Sequence, residues 1–280
     1  MGLRLYTVAP RQGWAWIRQA AALWWRRPLA FVGLFLFFLM TVLLLAMLVP
    51  VLGGVLGLAL LPMLTLGFMI ASRSALAKGP VHALQLVEGL RSVDRRRRRA
   101  QLVLCIAYAA GSMLVITLAD WVDDGLFVQL QRLMAEQQAG QGTARIDAIV
   151  SDPRLFNGMV TRLGLAALLS VPFWHAPALV HWGEQGALQA LFSSSVALWR
   201  ARAAFTVYFL VWGGLMAGAA LLVMLVSVLS GSRQLLGVLA MPLGLSFTAM
   251  FYVSLWFSFD DCFGAASPDG PAPEPARIEP

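Results

Sequence analysis

Residues 28–72 run for forty-five positions without Asp, Glu, Lys or Arg, and shorter stretches of the same kind recur at 100–119, 163–180, 203–232 and 234–259. A helix that crosses a bilayer needs roughly 20 mainly apolar residues at about 1.5 Å each. The first stretch is about twice that length, and Pro50-Val51-Leu52-Gly53-Gly54 interrupts it. It therefore predicts two spans joined by a tight turn. Six spans follow, at about 29–49, 52–72, 101–119, 160–181, 204–229 and 235–259. The runs are long and continuous and lack alternation with period two, which selects helices over barrel strands. The expected fold is an all-α polytopic membrane helical bundle, a single integral membrane domain over 1–264.

Three partly amphipathic, basic segments each precede a pair of spans. Residues 13–27 carry Trp14, Ile17, Ala21, Leu23, Trp24 and Trp25. Residues 81–99 carry Leu84, Val87 and Leu90, and residues 187–202 carry Leu188, Leu191, Phe192, Val196 and Trp199, at helical spacing. Such segments suit the membrane interface, with the apolar face in the acyl boundary and arginines at the phosphates. Trp25-Arg26, Ala30-Phe31 and Phe35-Leu36 match Trp199-Arg200, Ala204-Phe205 and Phe209-Leu210 at one offset, and Ala83-Leu84-Gln85 matches Ala187-Leu188-Gln189. The second span of every pair holds a proline: Pro62, Pro172 and Pro242. The chain thus reads as three parallel helical-hairpin repeats, all starting on one side of the membrane, unlike the inverted repeats of many transporters. Chance resemblance among apolar helices is the competing reading.

The loop at 120–159 is the longest. Leu126, Phe127, Leu130, Leu133 and Met134 fall at helical spacing, and a second short helix is expected at 143–150, stopped by Asp152-Pro153. Both helices are expected on the outer face of the bundle. Residues 265–280 are rich in proline and acidic residues and are expected to form a disordered tail.

Hydrophobic residues make up 59% of the chain and charged residues 12%, about half the charge usual in a soluble domain. The formal charge of +7 follows from topology rather than from nucleic-acid binding. Sixteen of the 21 basic residues fall on one side of a six-span chain: Arg4, Arg11, Arg18, Arg26 and Arg27; Arg73, Lys78, Arg91 and residues 95–99; Arg200 and Arg202; and Arg277. The positive-inside rule then puts both termini in the cytoplasm and the loop at 120–159 in the periplasm of a bacterial inner membrane. The first apolar run is too long for a signal-peptide core and reads as an uncleaved span. Cys105 and Cys262 are the two cysteines, and no disulfide framework or zinc spacing follows from them.

Arg95, Arg96, Arg97, Arg98 and Arg99 form the sharpest local signal. Guanidinium groups at a membrane surface attract anionic lipid at about 1 kcal/mol each; the plainer reading is a topology anchor. Pro62, Pro172 and Pro242, with Pro177, each free a carbonyl, so they mark a cavity or hinge, or merely kinks that suit packing. His175, in Pro172-Phe173-Trp174-His175-Ala176-Pro177, is a candidate cavity group or a neutral core histidine. His181 is six residues on, which disfavours a helical two-histidine metal site. Asp120, Asp123 and Asp124 read as a solvated acidic rim, or as a divalent cation site. Trp121, Trp174, Trp182 and Trp199 read as interface anchors. Gly53, Gly54 and Gly57, and Gly213, Gly214 and Gly218, read as points of close helix approach. Ser193, Ser194 and Ser195 lack the flanking glycines of a nucleophile elbow, and no nucleotide or metalloprotease motif is present.

Val8-Ala9-Pro10-Arg11-Gln12-Gly13-Trp14, Trp24-Trp25-Arg26-Arg27-Pro28, the segment from Pro172 to Val180 and Phe259-Asp260-Asp261-Cys262-Phe263-Gly264 together resemble an uncharacterised family of proteobacterial multi-pass inner-membrane proteins. The resemblance covers about 8–264. More distantly the chain looks like the membrane domain attached to some glycerophosphodiester phosphodiesterases, a domain with no catalytic residues to transfer. The resemblance implies fold and location only. The expectation is a non-enzymatic protein without cofactor or metal. It would bind anionic phospholipid, or a membrane-protein partner or second copy, and not nucleic acid. The alternative is a transporter or channel for a small solute with its cavity near Pro62, Pro172, His175 and Pro242.

Overall fold

A computed structural model describes residues 5–138, 146–231 and 234–264. Arg4, the start of the helix expected at 143–150, Arg277 and the tail at 265–280 lie outside the described residues. The described chain is helical, and six helical stretches are long and apolar enough to cross a membrane: Pro28–Leu48, Leu52–Leu76, Arg95–Val122, Pro153–Gly183, Arg202–Ser230 and Val238–Phe263. No strand occurs among the described residues.

In element order these are α1 (Gln12–Arg26), α2 (Pro28–Leu48), α3 (Pro50–Ala59), α4 (Leu61–Leu76), a 3-10 helix (Ala83–Leu90), α5 (Arg95–Val122), α6 (Leu126–Gln138), α7 (Ile146–Val150), α8 (Pro153–Phe173), α9 (Ala176–Gly183), α10 (Ala187–Arg200), α11 (Arg202–Ser230) and α12 (Gln234–Phe263). The spans outrun the apolar windows because helices continue into the headgroup region. At 28 residues, α5 is roughly 42 Å long, so it carries the arginine run at one end and Asp120 at the other.

Both described ends of the chain meet at one end of the bundle, where the Tyr6 amide donates to the Cys262 carbonyl at 2.9 Å. We refer to this as the terminal end and to the opposite one, with α6 and α7, as the loop end. Spans two and four are the most enclosed and the others face outward more. Leu44, Met47, Ile106, Leu114, Leu210 and Leu221 are among the many large apolar side chains left exposed on spans. They form the surface that lipid covers.

The three amphipathic segments differ from expectation in an instructive way. The 3-10 helix seats on α4, the second span of the preceding pair, and α10 seats on α8 and α9, again the second span of the preceding pair. The first segment, α1, has no preceding pair and instead packs on α11 and α12. Its apolar stripe, Gly13, Trp16, Ile17, Ala20 and Leu23, is buried in protein, not in the acyl boundary. Trp14 and Trp25 alone of its tryptophans stay exposed. The middle segment is a 3-10 helix of eight residues rather than an α-helix. α10 keeps an apolar stripe to the outside, Leu188, Phe192 and Trp199, opposite buried Ala190, Ser194 and Ala197, and the 3-10 helix leaves Leu84 and Val87 exposed.

The prolines also sort differently. Pro62 stands in the first turn of α4, and Pro177 in the first turn of α9, each just after a break in its span. Pro172 lies inside α8, and Pro242 lies inside an unbroken α12. The break in span four therefore belongs to Pro177. Gly53 and Gly57 do approach α2, at Leu45, Ala46 and Val42, whereas Gly213, Gly214 and Gly218 have no neighbour within 4 Å of a built Cβ. Gly67 is a contact that spacing did not single out: a Cβ there would lie 2.7 Å from the Leu86 Cα, which lets the 3-10 helix lie flat on α4.

Candidate functional site

The arginine run opens α5. Asp94 caps the helix, its carboxylate accepting from the Arg96 amide at 2.8 Å. Arg97 is taken up by the protein: it pairs with Glu184 and with Asp94 and donates to the His181 carbonyl at 3.5 Å. Arg95, Arg96, Arg98 and Arg99 are exposed and have no ion pair among the described residues. They crowd the positive pole of a helix, where cations are disfavoured by several tenths of a kcal/mol each. Exposed Arg18, Arg26, Arg200 and Arg202 and exposed Trp14, Trp25 and Trp199 lie at the same end. Of the expected anchors, Trp121 and Trp199 are exposed, while Trp174 and Trp182 sit inside the bundle.

At the loop end Asp120 and Asp123 turn inward to Arg162, whereas Asp124 stays exposed to solvent. Asp123 is fully buried and accepts from Arg162 at 2.6 Å, and Asp120 pairs with the same guanidinium. Arg154 takes Asp124 at 2.8 Å. The Arg162 guanidinium also lies 4.3 Å from the centre of the Phe127 ring, which ties α6 to α8. Arg162 was not singled out in the sequence. An arginine one turn into a span, opposite three aspartates in an adjacent span, is the signal that points to it.

His175 is fully buried at the break between α8 and α9. Its backbone amide donates to the Ser194 hydroxyl at 3.0 Å, and that hydroxyl donates to the Val171 carbonyl freed by the break. Its Nε2 lies 3.1 Å from the Ser258 hydroxyl, which donates its one proton to the Leu255 carbonyl at 2.9 Å. Nε2 must therefore carry the hydrogen, and Nδ1, which has no partner, is the bare nitrogen. The Trp174 indole reaches the same hydroxyl at 3.4 Å. Both residues are sealed from solvent, so the pair joins span four to span six. Phe205, Phe259 and Phe263 pack around the imidazole. Nearby, the Trp16 indole donates to Asp261 at 2.7 Å and stacks on Phe205. The motifs around Gly13, His175 and Asp261, far apart in the chain, thus meet in one buried core. Ser258→Ala is expected to cost about 1–3 kcal/mol, because it strands two buried donors. A lowered unfolding midpoint of the protein in micelles is the measurement, and an unchanged midpoint would refute this.

Two cavities lie along α4. The first, about 110 Å³, is lined by Pro62, Thr65, Tyr108, Trp174 and Tyr252 among others. Of the expected cavity group only Pro62 lines it; Pro172, His175 and Pro242 do not. The second, about 500 Å³, opens at the terminal end between α4, the 3-10 helix and α9, and Arg73, His82, Gln85, Glu88, His181 and Trp182 line it. Between the two, Trp182 packs on Trp256 and Phe259 with ring centres 5.2 and 5.5 Å apart. The Arg73 guanidinium caps this layer, 5.6 Å from the Trp182 ring and 5.9 Å from that of Trp256.

Against known proteins, the chain is 33% identical over 270 residues to a "probable inner membrane protein" of Burkholderia thailandensis, covering 96% of this chain and 97% of that one. No family model matches. No solved structure matches.

Proposed function

This chain belongs to the same inner-membrane protein family as the Burkholderia thailandensis relative, and from that premise we propose that it is a non-enzymatic protein that binds anionic phospholipid through its terminal end. That end faces the cytoplasm in this reading, as the excess of arginines requires. One observation carries the proposal. Arg95, Arg96, Arg98 and Arg99 stand exposed and unpaired among the described residues at the positive pole of α5. Among the described residues no ion pair offsets that clustering, whereas an anionic surface returns about 1 kcal/mol per residue. The exposed tryptophans at the same end suit the headgroup level. The distant resemblance to a membrane domain without catalytic residues agrees with a non-enzymatic role.

The test replaces Arg95, Arg96, Arg98 and Arg99 with glutamine and keeps Arg97, whose partners are internal. Retention of phosphatidylglycerol by the purified protein, read by native mass spectrometry, is expected to fall by about tenfold or more while the unfolding midpoint holds. Unchanged retention would reduce the run to a topology signal.

A second reading rests on the cavities. Two voids stacked along α4 and parted by the Trp182–Trp256 layer have the layout of a gated path for a small solute. Solute flux in liposomes, raised by Trp182→Ala, would favour it; tight vesicles with the wild type and the variant would exclude it.

A further inference from the structure

We propose that the cavity at the terminal end binds a zwitterionic group bearing a phosphate and an ammonium, with the phosphate on Arg73 and the ammonium on Glu88. The site adjoins the arginine run only through Arg97, which donates to the His181 carbonyl, and it does not rest on the lipid reading given for Arg95, Arg96, Arg98 and Arg99.

The cavity, about 500 Å³, falls within the range of about 300–1,000 Å³ common for ligand pockets. Its walls come from three elements that the fold brings together: α4 supplies Arg73, the 3-10 helix supplies Glu88 and α9 supplies His181. Arg73 and Glu88 are the charged residues on its wall, and no ion pair links them to each other or to any other described residue. Arg73 lies over the Trp182 and Trp256 rings, and its N–H donors have no protein acceptor among the described residues. A bare anion would meet the arginine but also the carboxylate. A bare cation would meet the reverse. Only a ligand that carries both charges a few bonds apart answers both walls. His82 and His181 add an imidazole each, whose N–H can donate to a phosphate oxygen. Gln85, buried at the cavity wall, is already fixed, its side chain bonded to the His82 amide at 3.1 Å and the Pro80 carbonyl at 3.1 Å. The wall on that side is therefore set before any ligand arrives.

The matching chemistry has two sources, the headgroup of an aminophospholipid and a free phosphomonoester of an amino alcohol. The experiment uses the full chain in detergent micelles and equilibrium binding of two probes, O-phosphoethanolamine and a short-chain phosphatidylethanolamine. Saturable binding of at least one is expected. Binding of the lipid alone assigns the headgroup, and binding of both with similar affinity assigns the free ester. Arg73→Gln and Glu88→Gln should each weaken it by about tenfold or more. Inorganic phosphate should bind more weakly and respond to Arg73→Gln but not lose affinity with Glu88→Gln, a split that a general loss of folding does not produce. Arg73→Lys, which keeps the charge, should restore part of the affinity. No saturable binding of either probe would overturn the proposal. So would affinities unchanged in both glutamine variants, or inorganic phosphate binding as tightly as the zwitterion.

Discussion

Gly13→Ala is expected to unseat α1 and lower the unfolding midpoint sharply, and Gly13→Leu to prevent stable folding. A Cβ at this position would lie 2.8 Å from the Tyr208 amide nitrogen and closer still to the Ala204 carbonyl oxygen, both backbone atoms of α11. A flexible side chain can swing away; a helix backbone cannot, so α1 must lift. Lifting exposes Trp16, Ile17, Ala20 and Leu23, which are now buried, and opens the bond from Trp16 to Asp261. Each large apolar side chain returned to water costs about 1.5–3 kcal/mol, and overpacking that does not lift the helix still costs about 1–3 kcal/mol. Thermal unfolding in micelles reads the loss. Faster tryptic cleavage at Arg18 or Arg26 reads the undocking. Gly54→Ala is the control, since a Cβ there meets nothing within 4 Å. A Gly13→Ala midpoint equal to that of the wild type would show that α1 is not seated as described.

Arg162→Gln is expected to destabilise by about 3–5 kcal/mol, the range for leaving a buried charge without its partner. Asp123 has no exposed surface. Its Oδ2 depends on Arg162, and among the described residues its Oδ1 accepts the Gly125 amide alone, at 3.0 Å. The decisive comparison is Asp123→Asn with Arg162→Gln, which removes both charges and should recover most of the midpoint. If the single and double variants fall equally, the pair is incidental and the loss comes from the Arg162 contact with Phe127.

The resemblance motifs gain a physical account from the same geometry. Gly13 permits the close crossing of α1 over α11, Asp261 receives Trp16, and His175 bonds Ser258. Together these contacts hold the first segment, span four and the end of span six in one knot. Sequence spacing presented His175 as a candidate cavity group because an intramembrane imidazole is costly. The missing datum was Ser258, 83 residues away, which meets that cost. Likewise, Asp120 and Asp123 looked solvated because Arg162 belongs to a different helix, whereas Asp124 is exposed as expected. Pro172 and Pro177 read alike as breaks in span four, whereas Pro172 lies inside α8 and the chain restarts at His175 with Pro177 in the next turn.

The number of spans, their positions and the imbalance of charge between the two ends were determined by the sequence alone. The reason is that a bilayer acts on each segment separately: a stretch must be apolar over its own length, and its own backbone must satisfy its own hydrogen bonds. The seat of each amphipathic segment was decided only by tertiary structure, because a stripe such as Trp16, Ile17 and Ala20 reads the same whether lipid or another helix covers it. So were the pairing of Asp123 with Arg162 and the meeting of Arg73, Glu88 and His181 around one cavity. These depend on which helices become neighbours, and that choice rests on close approaches such as Gly13 on Ala204 and Gly67 on Leu86, between residues that no local pattern connects.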